Sequence, residues 1–355
     1  TLVIKTSHIK LKYSRKCAIF IIFLYFIFLM NFKNLLAHLI VILAIYQLAI
    51  FIYYFLKAFY KHFIVQELDL LKRYGKGSFV IITGPSSGQG KHFAYEFAKR
   101  GFNLILIGSE RTNIVSKDLQ NKYKNIKIIT IVKNFCDATE PDFFDEIKES
   151  INSVGGNISI LVNNVGHRTA WNPYHEMPED MITNTIIVGT VVQSQLTRIC
   201  LPYFLKRKQK NCVMNITSQC IFPTFGFGEI LDNHITVPYL SVYEAANAFG
   251  FYQANSVWEE YKNKKNIEFL NIMPGAVITE NTENLGDTIF NISADQFVKN
   301  IFKLIGNYTG NSYAHWGHAL SVPLVNLAPF IKNMILRDVG DNISKNYMSS
   351  PCKKY

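Results

Sequence analysis

The chain contains no C-x-x-C pair, and its six cysteines, Cys17, Cys136, Cys200, Cys212, Cys220 and Cys352, are not spaced as a disulfide framework. They read as reduced thiols facing a reducing compartment. Zinc-ligand spacing is absent too, both among the cysteines and at His315-Trp316-Gly317-His318, which reads as local packing and hydrogen bonding. Acidic residues are scarce, 26 against 37 Lys and Arg, for a net charge of +11 over 355 residues. Long polar tracts, internal repeats and low-complexity linkers are missing. With 49% hydrophobic and 18% charged residues, the composition suits a folded chain with a sizeable core and not a disordered one.

A nucleic-acid reading of the basic excess wants cations clustered with stacking aromatics on one module. Here many flank apolar runs instead: Lys5, Lys10, Lys12, Arg15 and Lys16 precede the first, and Lys57 and Lys61 follow the second. That placement fits anionic lipid on the cytosolic side of a membrane, so the expected partner is a membrane and not nucleic acid. The first run, Cys17 to Met30, is short for a span, and Asn31-Phe32-Lys33-Asn34 follows it without a small-residue cleavage site. The second, Leu35 to Leu56, has only His38 and Gln47 as strongly polar residues and is long enough to cross a bilayer core. The anchor is therefore expected over residues 1–60, with one or two spans. Because the chain opens on Thr1, residues before Met30 stand either inside or outside the mature protein. If both runs span, their basic outer ends share the cytosolic face.

From Ser78 onward, β-branched runs alternate with amphipathic stretches, the pattern of βαβ units and a parallel sheet. Strands are predicted at Phe79–Thr83, Leu104–Ile107, Ile128–Val132, Ile158–Val162, Cys212–Ile216 and Ile267–Ile272, with a helix over Lys91–Arg100. The fold class is α/β, a Rossmann-type doubly wound parallel sheet preceded by an N-terminal membrane helix. Residues 61–77 read as a linker, 78–310 as the dinucleotide-binding domain, and 311–355 as an apolar tail, broken by Pro323 and Pro329, that lies on the protein surface or touches the membrane.

Directly after the first of these strands comes Thr83-Gly84-Pro85-Ser86-Ser87-Gly88-Gln89-Gly90 and then a helix. Glycines at those places let the backbone approach a pyrophosphate, and the helix N-terminus offers free amides to it. Further on stand Asn163-Asn164-Val165-Gly166 after the fourth strand and Asn215-Ile216-Thr217-Ser218 at the fifth. Tyr239-Leu240-Ser241-Val242-Tyr243 and Pro274-Gly275-Ala276-Val277-Ile278-Thr279 complete the series.

In that order these elements resemble the short-chain dehydrogenase/reductase family over about Ser78 to Thr279. Leu71 to Ser78, the His318-Ala319-Leu320 segment and the preceding anchor further resemble its membrane-bound 3-ketoacyl-CoA reductases and 17β-hydroxysteroid dehydrogenases. The resemblance implies NADP as cofactor, with NAD as the alternative, held by Gly84, Ser86, Ser87, Gly88, Gln89, Gly90, Ser109, Arg111, Asn134, Asn164, Gly166, Pro274, Gly275, Val277 and Thr279. It implies a lipid-like keto substrate, an acyl-CoA or a steroid, and a place on the endoplasmic reticulum membrane with the catalytic domain facing the cytosol. Homo-oligomers or fatty-acid-elongation partners are compatible with it.

It also implies Ser218 as the hydroxyl that holds the carbonyl oxygen and Tyr243 as the acid that protonates the developing alkoxide. A phenol with an ordinary pKa of about 10 needs a nearby cation to relay protons near neutrality. The family supplies a lysine one helical turn on, and here that position is Asn247. The family's relay asparagine falls on Gly189, and the arginine expected to favour NADP falls on Ser109, with Arg111 close by. Ser218 and Tyr243 lie further apart than in the family pattern, and the added segment between Pro223 and Pro238 carries His234, an alternative proton donor. Two readings follow: a membrane-bound NADP-dependent ketoreductase of altered or weak activity, and a non-catalytic family member that binds dinucleotide or lipid as a scaffold.

Overall fold

The computed structural model describes residues 2–6, 9–13, 15–167, 172–221, 237–280 and 288–327. The His234 segment and the tail beyond Leu327 lie outside these residues. The chain divides into two compact units, with the boundary between Tyr60 and Lys61.

In the first unit, β1 (Leu2–Thr6) and β2 (Ile9–Tyr13) pair antiparallel, and α1 (Arg15–Phe59) follows. The sequence suggested two apolar runs with a break at Asn31–Asn34. The structure winds both into one helix of 45 residues. The break holds no proline or glycine, so nothing there stops the hydrogen-bond ladder. Along Leu35 to Leu56 the large apolar side chains are exposed.

The second unit opens with a short π-helical turn, Tyr60–Ile64 at its boundary, and α2 (Leu70–Tyr74), capped by Asp69, whose carboxylate accepts from Lys72 N. Then come β3 (Phe79–Thr83), α3 (Gly88–Lys99), β4 (Asn103–Gly108), α4 (Thr112–Lys122), β5 (Ile128–Val132) and α5 (Asp145–Ser153). The second half holds β6 (Ile158–Asn163), α6 (Glu179–Ile186), α7 (Gln193–Lys206), β7 (Asn211–Ile216) and α8 (Ser241–Tyr261). After β8 (Ile267–Ile272) and the small pair β9 (Val277–Ile278) and β10 (Ile292–Ser293) come α9 (Ala294–Leu304), β11 (Gly310–Ser312) and α10 (Trp316–Leu327).

Seven strands form one parallel sheet in the order β11-β8-β7-β6-β3-β4-β5. The chain starts in the middle at β3, runs to one edge, then returns to β6 and runs to the other. Strand order therefore reverses between β3 and β6, which opens a crevice at the carboxyl ends of the strands. Alternation along β3 explains the two layers. Val80 and Ile82 point into a core with Phe93, Phe97, Phe297, Ile301 and Phe302, while Phe79 and Ile81 point into one with Ile147, Ile151, Leu196 and Phe204. Both faces of β3 are buried, which is why it reads as an unbroken apolar run.

Candidate active site

The loop after β3 sits at the reversal point. Helix α3 begins at Gly88, earlier than Lys91, because the glycines themselves form its first turn. A Cβ on Gly90 would lie 2.0 Å from Gly84 O and 2.6 Å from Asn164 Nδ2, so no larger residue fits. Gly84 takes a φ of +67°, in the region that favours glycine. Asn164 stitches β6 to this loop: its amide nitrogen donates to Thr83 O at 2.9 Å, and its backbone N–H donates to Thr83 Oγ1 at 2.9 Å.

A cavity of about 1420 Å³ extends from this loop. It gathers Gly84, Ser86, Ser87, Gly88, Gln89, Gly90, Ser109, Asn134, Asn164, Gly166, Pro274, Gly275, Val277 and Thr279, together with Ser218, Tyr243 and Asn247. Of the residues expected around the cofactor, Arg111 is not on this wall; it lies exposed at the start of α4. Two charged residues that the sequence reading missed do line it, Glu110 and Lys133. Glu110 could have been found by place alone. It stands two residues beyond the end of β4 and about 20 residues beyond the glycine loop, where an acidic residue can meet the adenosine ribose. Lys133 pairs with Glu146 at 3.1 Å.

At the other end, Ser218 follows β7 and is buried, and its Oγ accepts from Cys220 N at 3.3 Å. Tyr243 lies in the first turn of α8 and Asn247 one turn later, with Asn247 Nδ2 donating to Tyr243 O at 2.9 Å. Burial pushes the Tyr243 phenol up to about 12, with Cys220 and Glu244 acting in the same direction; hydrogen bonds from Ser218 and Asn247 offset only part of that. Glu244 is pushed up to about 7 by burial, against the N–H of Val237, which donates to its Oε1 at 2.8 Å.

Gly189 also reaches the wall, from the π-helical turn Ile187–Val192 between α6 and α7. A Cβ there would come 2.8 Å from Ala246 Cβ. The helix turn and α8 approach closely at Gly189, the position expected from the resemblance to carry an asparagine. His315 and His318 hydrogen-bond backbone groups, Ile289 O for the first and Gly275 N and Ala276 O for the second.

The family model for short chain dehydrogenases matches residues 78–289. The very-long-chain 3-oxoacyl-CoA reductase of Mus musculus is 31% identical over 238 residues, covering 66% of this chain and 70% of that protein. The 17-beta-hydroxysteroid dehydrogenase type 3 of Homo sapiens is 31% identical, covering 67% and 72%. In fold, the chain is similar to a short-chain dehydrogenase from Sphingobium yanoikuyae solved in complex with NADPH. The TM-score is 0.55 at 20% identity, over 78% of this chain and 98% of that one. With the glycine loop, the Asn164 stitch, Ser218 and Tyr243 set in that order on one parallel sheet, the chain belongs to the short chain dehydrogenase family of NAD(P)H-dependent oxidoreductases.

Proposed function

We propose that this protein is a membrane-anchored NADPH-dependent ketoreductase of the endoplasmic reticulum, acting on the keto group of a fatty acyl-CoA or a steroid, with turnover restrained by the loss of the family lysine. The observation that carries it is the single cavity joining the glycine loop to Ser218 and Tyr243. Its relatives named for 3-oxoacyl-CoA and hydroxysteroid chemistry support the substrate class.

The residues present fit a dinucleotide. Gly84, Gly88 and Gly90 put no side chain of their own between the cavity and the N-terminus of α3, and Gln89 Oε1 is buried there without a partner among the described residues. Gly84 to Gly90 would hold the pyrophosphate, and the wall at Ser109, Glu110 and Lys133 the adenosine end. When bound, the nicotinamide supplies the hydride. The protein's part is positional and protonic. Ser218 Oγ holds the carbonyl oxygen, and the Tyr243 hydroxyl, protonated at neutral pH, donates the proton to it.

A specific observation favours a second reading, a dinucleotide-binding scaffold without turnover. Asn247 carries no charge, and Ala246 fills the room beside Gly189, so two parts of the family's proton relay are gone together. One experiment separates the readings. Purified protein is titrated calorimetrically with NADPH and NADH, then assayed on a panel of 3-ketoacyl-CoAs and ketosteroids beside Tyr243→Phe. Reduction abolished by Tyr243→Phe supports the enzyme. Binding without reduction supports the scaffold. Reduction that survives Tyr243→Phe overturns the role of the phenol, and absence of any dinucleotide binding overturns both readings.

A further inference from the structure

Helix α10 ends the described chain, far in sequence from the motifs above, yet His318 on it is 1% exposed and lies against the Pro274–Ala276 loop. Gly275 N donates to His318 Nδ1 at 3.1 Å, and His318 Nε2 lies 3.2 Å from Ala276 O. Both bonds can form only if the ring is neutral and carries its proton on Nε2. Burial, with His315 beside it, holds the His318 pKa down to about 4, which keeps that form at neutral pH.

A second set of bonds joins the same place to the catalytic serine. Gln219, next after Ser218, donates its backbone N–H to Pro274 O at 2.7 Å. Its side-chain amide donates to His318 O at 3.2 Å and to Ser321 Oγ. Packing is close here, since a Cβ on Gly275 would lie 2.2 Å from Gln219 Oε1 and 2.8 Å from His318 Cδ2. Ser218, Gln219, Pro274, Gly275, Ala276 and Ser321 all line the cavity, so this knot forms the wall at its catalytic end.

We propose that His318 is a positioning residue for the dinucleotide: together with Gln219 it pins the Pro274–Ala276 loop to the Ser218 turn, and so makes α10 part of the cofactor site. The inference rests on the dinucleotide reading and adds a residue to it. A loop whose amide and carbonyl are both held by one buried ring presents a fixed wall to its ligand, whereas a free loop must be ordered at the moment of binding. Removing the ring strands the half-buried Gly275 N–H, which the loop relieves by leaving its place.

The test uses the full-length protein in detergent, with NADPH as the probe, and compares wild type, His318→Ala, His318→Asn, His318→Gln and Gln219→Leu. Three quantities are read: the NADPH dissociation constant, hydrogen exchange of residues 273–279 in the dinucleotide-free protein, and the dinucleotide-free melting temperature. His318→Ala is expected to weaken NADPH up to about tenfold, as one stranded half-buried donor implies, and to speed exchange of 273–279. His318→Asn, whose Oδ1 can replace Nδ1 as acceptor for Gly275 N–H, is expected to recover most of the affinity, and His318→Gln less. Gln219→Leu is expected to act in the same direction as His318→Ala and keeps the test open if that variant does not fold. A lowered melting temperature with wild-type affinity and exchange in the folded fraction overturns the inference, since it marks a purely structural histidine. Loss of affinity that Asn does not recover also overturns it. Wild type that binds no NADPH overturns the dinucleotide reading itself, and the inference with it.

Discussion

A phenol held at about 12 is ionised to only about one part in 10⁵ at pH 7. In the proposed mechanism, ketone reduction draws a proton from Tyr243 and starts from the protonated form, which is plentiful. Alcohol oxidation needs the phenolate, which is scarce. The site is thus biased kinetically toward reduction, and the oxidation rate should climb with pH to the limit of the protein's stability, without a plateau near pH 8 or 9. Asn247→Lys places an ammonium one turn from Tyr243 and should lower its pKa, bringing a plateau into range and raising oxidation at pH 8 by roughly tenfold or more. An unchanged pH–rate profile would show that the lysine position no longer addresses the phenol. Gly189→Asn should not add to the gain, because its side chain meets Ala246. Glu244 gives a separate, stability-based prediction. Its folded pKa of about 7 stands above the usual 4.5, so the folded state keeps a proton that the unfolded state releases between those values. Stability should therefore fall as pH rises from about 4.5 to 7 and level off above. Glu244→Gln keeps an acceptor for Val237 N–H and should flatten that slope in urea titrations; a slope that persists would assign it to another group.

At the scale of elements, α2 shows how a short helix can be fastened beneath a sheet. Tyr74 OH donates to Glu268 Oε2 at 2.6 Å, and the Arg73 guanidinium pairs with the same carboxylate, which β8 buries. Glu268 raises the Arg73 pKa through that hydrogen bond. Glu268→Ala should leave the half-buried guanidinium and the buried Tyr74 hydroxyl unpaired and cost about 1–3 kcal/mol in unfolding free energy, as stranding a buried polar group does. A loss below about 1 kcal/mol, the range of exposed pairs, would mean that solvent already screens this one. Nothing in Leu70–Tyr74 announces that partner, since Glu268 lies far along the chain and looks from sequence like a polar interruption of a strand. The same limit applies elsewhere. β3 was legible because a parallel strand buried on both faces is apolar throughout; the half-buried edge strand β5 and β8, which carries Glu268 and Asn271, also take the predicted bounds from their β-branched and apolar runs. The glycine loop and Ser218 could be proposed from sequence because each follows a strand end, and Tyr243 from its place in the motif; the structure brings all three to one cavity. Continuity of α1 across Asn31–Asn34, Ala246 closing on Gly189, Glu110 and Lys133 in the wall, and His318 on Gly275 all depend on which segments meet in space. No periodicity in one segment encodes them.

The whole molecule raises the question of what covers α1, whose 45 residues would measure roughly 68 Å at the usual rise. A bilayer core of about 30 Å takes about 20 of them. Leu35 to Leu56 is the stretch of that length without a charge, and most of its large apolar side chains are exposed. One continuous helix also changes the argument for orientation. A hairpin would bring both basic ends to one face, but a single span puts them on opposite faces, and the cations near each end must be weighed against each other. Within a comparable distance of the span, Arg15, Lys16 and Lys33 stand on the amino side, against Lys57, Lys61, Lys72, Arg73 and Lys76 on the carboxyl side. The larger group lies with the dinucleotide-binding unit and predicts that this unit faces the cytosol, where NADPH and acyl-CoA are both at hand. The protein should then stay in the pellet after carbonate extraction, and in sealed microsomes added protease should degrade the unit that carries Gly84. Release at high pH would remove the anchor, and full protection from protease would reverse the orientation. Exchanging Lys57, Lys61 and Lys76 for glutamine should shift part of the population to the protected form, because it leaves the amino-side cations in the majority.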